Sequence, residues 1–183
     1  AVADALDRIV DEAGGIDVVF NNAGVRSAPV AFLDIDVDRW RSDVDVNLTG
    51  AFILAQAAAR RMLDHGGVIV NTVSQLAYSV VPESAAYLAS KAGPAHLTAA
   101  MSRELGPLGI RVLGVAPGIV ETEMTRSLMA RTEWRRERLS RIPAGRFARP
   151  AEIAEFMLDL SARGADYVHG TTVVVDGGYL AGS

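Results

Sequence analysis

The sequence predicts an α/β fold in which a parallel sheet is wound with helices on both faces. Three observations carry this. Short runs rich in β-branched residues alternate with stretches of helical periodicity along the whole chain. The strand-like runs end in turn-forming or small polar residues, as at Asn21-Asn22-Ala23-Gly24, Ser74, Pro117-Gly118 and Asp176-Gly177-Gly178. No repeat, low-complexity run or linker interrupts the alternation, so residues 1–183 read as one domain.

Taken in order, Val2, Leu6, Ile9, Val10 and Ala13 recur at helical spacing until Gly14-Gly15 stops them. Residues 16–20 form a strand, broken only by Asp17 and read as central because it is apolar on both faces. Trp40, Val44, Asn47, Ala51, Leu54, Ala58 and Met62 predict one long helix over 36–62 with Asn47 on its apolar face. Residues 68–73 are a second strand that delivers Ser74 to its carboxyl end, the edge where ligands bind in open α/β sheets. A third helix carries Tyr87 and Lys91 and runs on to Leu105, with a kink expected just beyond Lys91 because Pro94 removes a backbone hydrogen bond. Residues 110–116 are a third strand. The segment 122–141 mixes six arginines with Met124, Leu128, Met129, Trp134 and Leu139 and reads as an amphipathic flap with a solvated basic face. Pro150 opens a further helix at the favoured first position, and 171–175 is the last strand.

Composition excludes several classes of function. With 22 acidic and 18 basic residues the net charge is -4, which gives no general attraction for nucleic acid or an anionic membrane. There is no cysteine, and the three histidines, His65, His96 and His169, are scattered, so no metal site is indicated. No apolar run approaches the length of a membrane helix, and the acidic start lacks the form of a signal peptide. A cytoplasmic protein is expected.

Chemistry concentrates at Tyr87-Leu88-Ala89-Ser90-Lys91. Lys91 is the only lysine among 18 basic residues, and it stands four residues after a tyrosine, on the same helical face. Arg and Lys are not interchangeable where a compact ammonium is needed. An ammonium beside a phenol favours the phenolate, and moving the phenol about 3 units toward neutrality takes roughly 4 kcal/mol. The product would be a general acid/base suited to a carbonyl or an alcohol. Read alone, the pair also serves as an ordinary helical contact, Asn47 as a satisfied buried amide, and Ser74 as a turn serine.

Together these positions resemble the short-chain dehydrogenase/reductase family. The matches are the N-N-A-G turn, the N-L-T-G segment at Asn47, Ser74 thirteen residues before Y-x-x-x-K, Pro117-Gly118 with Thr122, the segment Arg146 to Ala154, and Val175-Asp176-Gly177-Gly178. Enzymes similar to 3-oxoacyl-carrier-protein reductase show the closest likeness. The resemblance implies a Rossmann-type doubly wound sheet and an NAD(P)-dependent oxidoreductase acting on a small carbonyl or secondary-alcohol substrate. It implies a catalytic set of Asn47, Ser74, Tyr87 and Lys91. Tyr87 would move the proton, Lys91 would lower its pKa and bind the ribose, Ser74 would hold the reacting oxygen, and Asn47 would position a proton-relaying water. NAD or NADP would contact Asn22, Ala23, Gly24, Tyr87, Lys91, Pro117, Gly118, Val120 and Thr122, and a homodimer or homotetramer is expected.

One departure is large. No glycine-rich phosphate-binding loop precedes Asn21, so the fold is expected to be N-terminally truncated, with the first βα units absent. The strand 16–20 would then expose an unpaired, aggregation-prone edge. Leu113 stands where the family often has Asn. Two readings remain open: an oxidoreductase, or a catalytically silent remnant acting as an interaction or structural protein.

Overall fold

Four parallel strands, β1 (Val18–Asn21), β2 (Gly67–Thr72), β3 (Ile110–Pro117) and β4 (Thr172–Val175), lie side by side in chain order in a computed structural model that describes residues 1–182. Their register alternates side chains between two faces. Val19, Ile69 and Val112 are aligned across three strands on one face, where α1 (Val2–Ala13), α3 (Ala51–Arg61) and α4 (Ala85–Leu105) cover them through Leu6, Ala55, Ala58, Met62 and Met101. Val70, Leu113 and Val115 point the other way, against Ile153, Met157 and Leu160 of α7 (Pro150–Ser161). This is the expected parallel sheet with helices on both faces. Leu113 is fully buried there, so the position is part of the apolar core.

Because the strand order never reverses, all three crossovers travel the same way across the sheet. The connection from β3 to β4 therefore has the opposite hand to the two before it, since α7 lies on the other face. Arg111 anchors that connection. It is 7% exposed, and its guanidinium donates to the carbonyls of Leu160, Ser161, Ala162 and Ala165, which end or follow α7. A cation at the negative end of the helix dipole thus ties β3 to the end of α7.

Four expectations change. The helix expected over 36–62 is three elements: α2 (Val37–Val44), a π-helical turn (Asp45–Gly50) and α3. The stripe of apolar residues survives the extra width of the π turn, so periodicity alone does not reveal it; such turns are frequent at functional sites. The strand at 16–20 begins later, at Val18, and forms the edge of the sheet among the described residues; Val18 and Phe20 are each 37% exposed. The flap at 122–141 is two helices, α5 (Glu123–Met129) and α6 (Thr132–Ser140). Its arginines are not simply solvated: Arg135 lies over Phe147, Arg138 over Trp134, and Arg141 over Tyr179.

That aromatic cluster is closed by Asp176-Gly177-Gly178. Asp176 accepts from the amides of Gly178 and Leu180, and both glycines have positive φ, 65° and 90°. A Cβ at either would also meet Ile142 or Pro143 within 3 Å. Elsewhere α4 runs on through Pro94, whose carbonyl accepts from the Thr98 hydroxyl at 2.8 Å. Among the described residues no helix is long and apolar enough to cross a membrane.

Candidate active site

At the carboxyl ends of the strands opens a cleft of about 770 Å³. It brings together residues that the sequence holds up to a hundred positions apart: Asn22 and Gly24 after β1, Ser74 after β2, Tyr87 and Lys91 on α4, and Pro117, Gly118, Val120 and Thr122 at and after β3. Helices α5, α6 and α7 supply Leu128, Trp134 and Ile153 as an apolar wall. Two expected site residues do not line it: Ala23 is exposed outside the cleft, and Asn47 is buried behind Gly24.

Asn47 shapes the floor. Its amide oxygen accepts from the Val25 N–H and its amide nitrogen donates to the Val25 carbonyl, both at 2.8 Å, while the nitrogen also donates to Ser90 Oγ at 2.9 Å. Both amide protons are thereby committed, and the side chain grips the loop after β1 as a neighbouring strand would. A Cβ at Gly24 would lie 3.1 Å from this oxygen and 3.3 Å from Lys91 Nζ, so the absence of a side chain there lets the loop settle on the pair. A second chain of buried amides ties the strand ends to α4: Asn21 donates to Asn71, and Asn71 to Thr98.

Lys91 is 4% exposed, and Nζ donates to the Thr72 carbonyl at 3.0 Å. Burial brings its pKa down to about 8. Tyr87 is shifted upward, first by burial. The Ser74 hydroxyl and then the Arg26 guanidinium pull it partly back, and the Asp43 carboxylate adds to the rise. The expectation that Lys91 lowers the Tyr87 pKa is therefore corrected for this state. The helical spacing puts both side chains on one face, but the ammonium turns to Thr72, and the cation acting on the phenol is Arg26. Its guanidinium carbon lies 5.3 Å from the ring centroid.

Sequence reading missed Arg26, because one arginine among seventeen in a loop looks like a surface charge; its only signal is its place two residues after the N-N-A-G turn. Reading also missed Gln75, which is 4% exposed, lines the cleft, and has an amide oxygen without a partner among the described residues. Asp43 was missed as well. It is buried on α2 and accepts from the amide and hydroxyl of Ser27, fixing the loop that carries Arg26. Ser74 is extended and accepts from the Leu76 amide. Thr122 is exposed at the start of α5, with its hydroxyl beside that of Thr125.

A sequence model of the family described as Enoyl-(Acyl carrier protein) reductase matches residues 1–180. The cis-4-hydroxycyclohexanecarboxylate dehydrogenase of Sinomonas cyclohexanicum is 38% identical over 182 residues, which are 99% of this chain and 72% of that protein. The chain belongs to the short-chain dehydrogenase/reductase family. Within the family, the 3-oxoacyl-[acyl-carrier-protein] reductase FabG of Thermotoga maritima is 36% identical over 180 residues, 98% of this chain and 72% of that protein. The gluconate 5-dehydrogenase of Burkholderia cenocepacia J2315, solved in complex with NADP and tartrate, superposes with a TM-score of 0.96 at 33% identity, covering 100% of this chain and 71% of that one.

Proposed function

We propose that this chain is an NAD(P)-dependent oxidoreductase of a carbonyl or secondary alcohol, formed by one domain over residues 1–183 and acting in the cytoplasm. The observation that carries the reading is that Ser74, Tyr87 and Lys91 line one cleft at the carboxyl edge of the sheet. Similarity to relatives named as dehydrogenases and reductases supports an enzyme over a silent interaction protein. The residues present fit a nicotinamide cofactor: the Lys91 ammonium and Thr122 hydroxyl line the cleft and are donors suited to ribose and phosphate oxygens. When bound, NAD or NADP supplies or accepts the hydride.

The chain's own residues do the rest. Tyr87 gives a proton to the carbonyl oxygen in reduction and removes it from the alcohol in oxidation. The Ser74 hydroxyl donates to the same oxygen as charge builds on it. Lys91 holds ribose hydroxyls. Asn22, Gly24, Pro117, Gly118, Val120 and Thr122 form the cofactor wall. Both Asn47 amide protons are committed, and its amide oxygen, which accepts from the Val25 amide, has one lone pair left for a water relaying protons to Lys91. The test is oxidation of NADH or NADPH, followed optically, with a panel of ketones; folded protein that turns over neither coenzyme with any of them ends the reading.

We also propose a homodimer or homotetramer. Phe52, Ile53 and Leu63 on and after α3 are 44%, 45% and 51% exposed, apolar side chains that a second copy of the chain would cover. Sedimentation velocity should show a species heavier than 19.4 kDa. A monomer at every concentration would sink this proposal.

A further inference from the structure

The cleft contains a guanidinium that the proposed proton transfer does not use. Arg26 lies between β1 and α2, half-buried, over the Tyr87 ring, and its Nη2 donates to Ser84 Oγ at 3.1 Å. That is its only hydrogen bond among the described residues, so most of its N–H donors remain unused. No carboxylate pairs with it there. Glu123, the only acidic residue among the described residues lining the cleft, is held by Arg126 at 2.5 Å. Asp43 acts on Arg26 from beyond ion-pair distance and gives its oxygen to Ser27.

A half-buried cation of this kind has lost much of its hydration without gaining a counter-ion. Burial is indeed the main influence on it; Tyr87 and the Asp43 carboxylate act the other way, and Arg138 adds like-charge repulsion. With Lys91 also in the cleft, two cations line a space whose one carboxylate among the described residues is already taken. The loop is fixed rather than free. Asp43 ties Ser27, Asn47 ties Val25, and the Val30 amide donates to the carbonyl of Glu83, just before α4. The fork is thus held in place beside the phenol, with the shape for bidentate pairing to a planar anion.

We propose that Arg26 is a specificity residue that binds the carboxylate of the substrate, so that this chain acts on hydroxy- and oxo-carboxylates in which the acid group lies a few bonds from the reacting carbon. The inference rests on the oxidoreductase reading for the words "reacting carbon", but the carboxylate site stands on its own geometry. The side of the Tyr87 ring covered by Arg26 sets the direction in which the acid end of the molecule points.

The test compares matched acids and esters: 3-hydroxybutanoate and 4-hydroxypentanoate against their methyl esters, with the full chain and with Arg26→Gln and Arg26→Lys. The acid-to-ester ratio of kcat/KM cancels any general effect of Arg26 on Tyr87. In Arg26→Gln that ratio should fall by about 10- to 100-fold, with Arg26→Lys between the two. A wild-type chain that uses acid and ester equally overturns the proposal, as does a ratio unchanged by Arg26→Gln, while leaving the oxidoreductase reading intact. Calorimetric titration with the acids alone separates the two ideas. Binding lost in Arg26→Gln, with no turnover in any assay, would support the carboxylate site and remove the oxidoreductase; no saturable binding and no acid preference would remove the site. If Arg26→Gln fails to fold, the wild-type acid-to-ester comparison still decides.

Discussion

Tyr87→Phe is expected to lower kcat by about 10²–10⁴-fold, the usual loss when a general acid/base is removed, with little change in stability. The phenyl ring keeps its place under Arg26, so the packing of the loop after β1 is preserved. What disappears is the one hydroxyl that lies beside Ser74 in the cleft and can exchange a proton with a reacting oxygen. Burial raises the Tyr87 pKa, so near neutral pH the phenol is protonated and ready as an acid. Reduction should therefore proceed well at neutral pH and decline in alkali. Oxidation, which needs the phenolate, should accelerate as pH rises. Steady-state kinetics in both directions checks this. A Tyr87→Phe enzyme that retains the wild-type alkaline limb would show that another group moves the proton.

Much of the site was legible because chemistry and periodicity coincide there. Tyr87 and Lys91 share a helical face by spacing, and Ser74 follows a strand run that had to end at the ligand edge. Asn47 was legible as a buried amide, but its partners were not, since Val25 lies 22 residues earlier and Ser90 lies 43 later. Strand interiors were read well because β2 and β3 are apolar on both faces. Their ends were less certain, as at Ile16, which is buried yet precedes β1.

What sequence could not give is the direction of long side chains. Lys91 has enough flexible stem to reach either the Tyr87 side or the Thr72 carbonyl from the same helical position, and it takes the second. The flap arginines look like surface charge in a string of letters, yet aromatic rings brought from Phe147 and Tyr179 give them faces to lie on. Arg26 combines both problems: its role depends on a ring 61 positions away in sequence.

Lys91→Met should separate function from stability. The ammonium is buried, and among the described residues it makes no ion pair; its hydrogen bond is to the Thr72 carbonyl. Its pKa is about 8 in the folded chain against an ordinary 10.5, so between those values the unfolded chain holds a proton that the folded chain has released. Unfolding free energy therefore rises with pH across that window, and the cost of burying the charge is fully present below it. Met fills similar volume without the charge. Near neutral pH the variant should gain about 3 kcal/mol from the removed burial cost, offset by about 1 kcal/mol for the lost bond to Thr72. The wild type should then close the gap as pH climbs from about 8 toward 10.5. Turnover should fall by at least about 10²-fold, because neither the ribose contact nor the proton path at Lys91 survives. Urea melts of both proteins across this pH range, with coenzyme-coupled rates at each point, read the two effects together. A variant less stable than wild type at neutral pH, with a parallel pH slope, would mean that the buried ammonium is not the burden its surroundings imply.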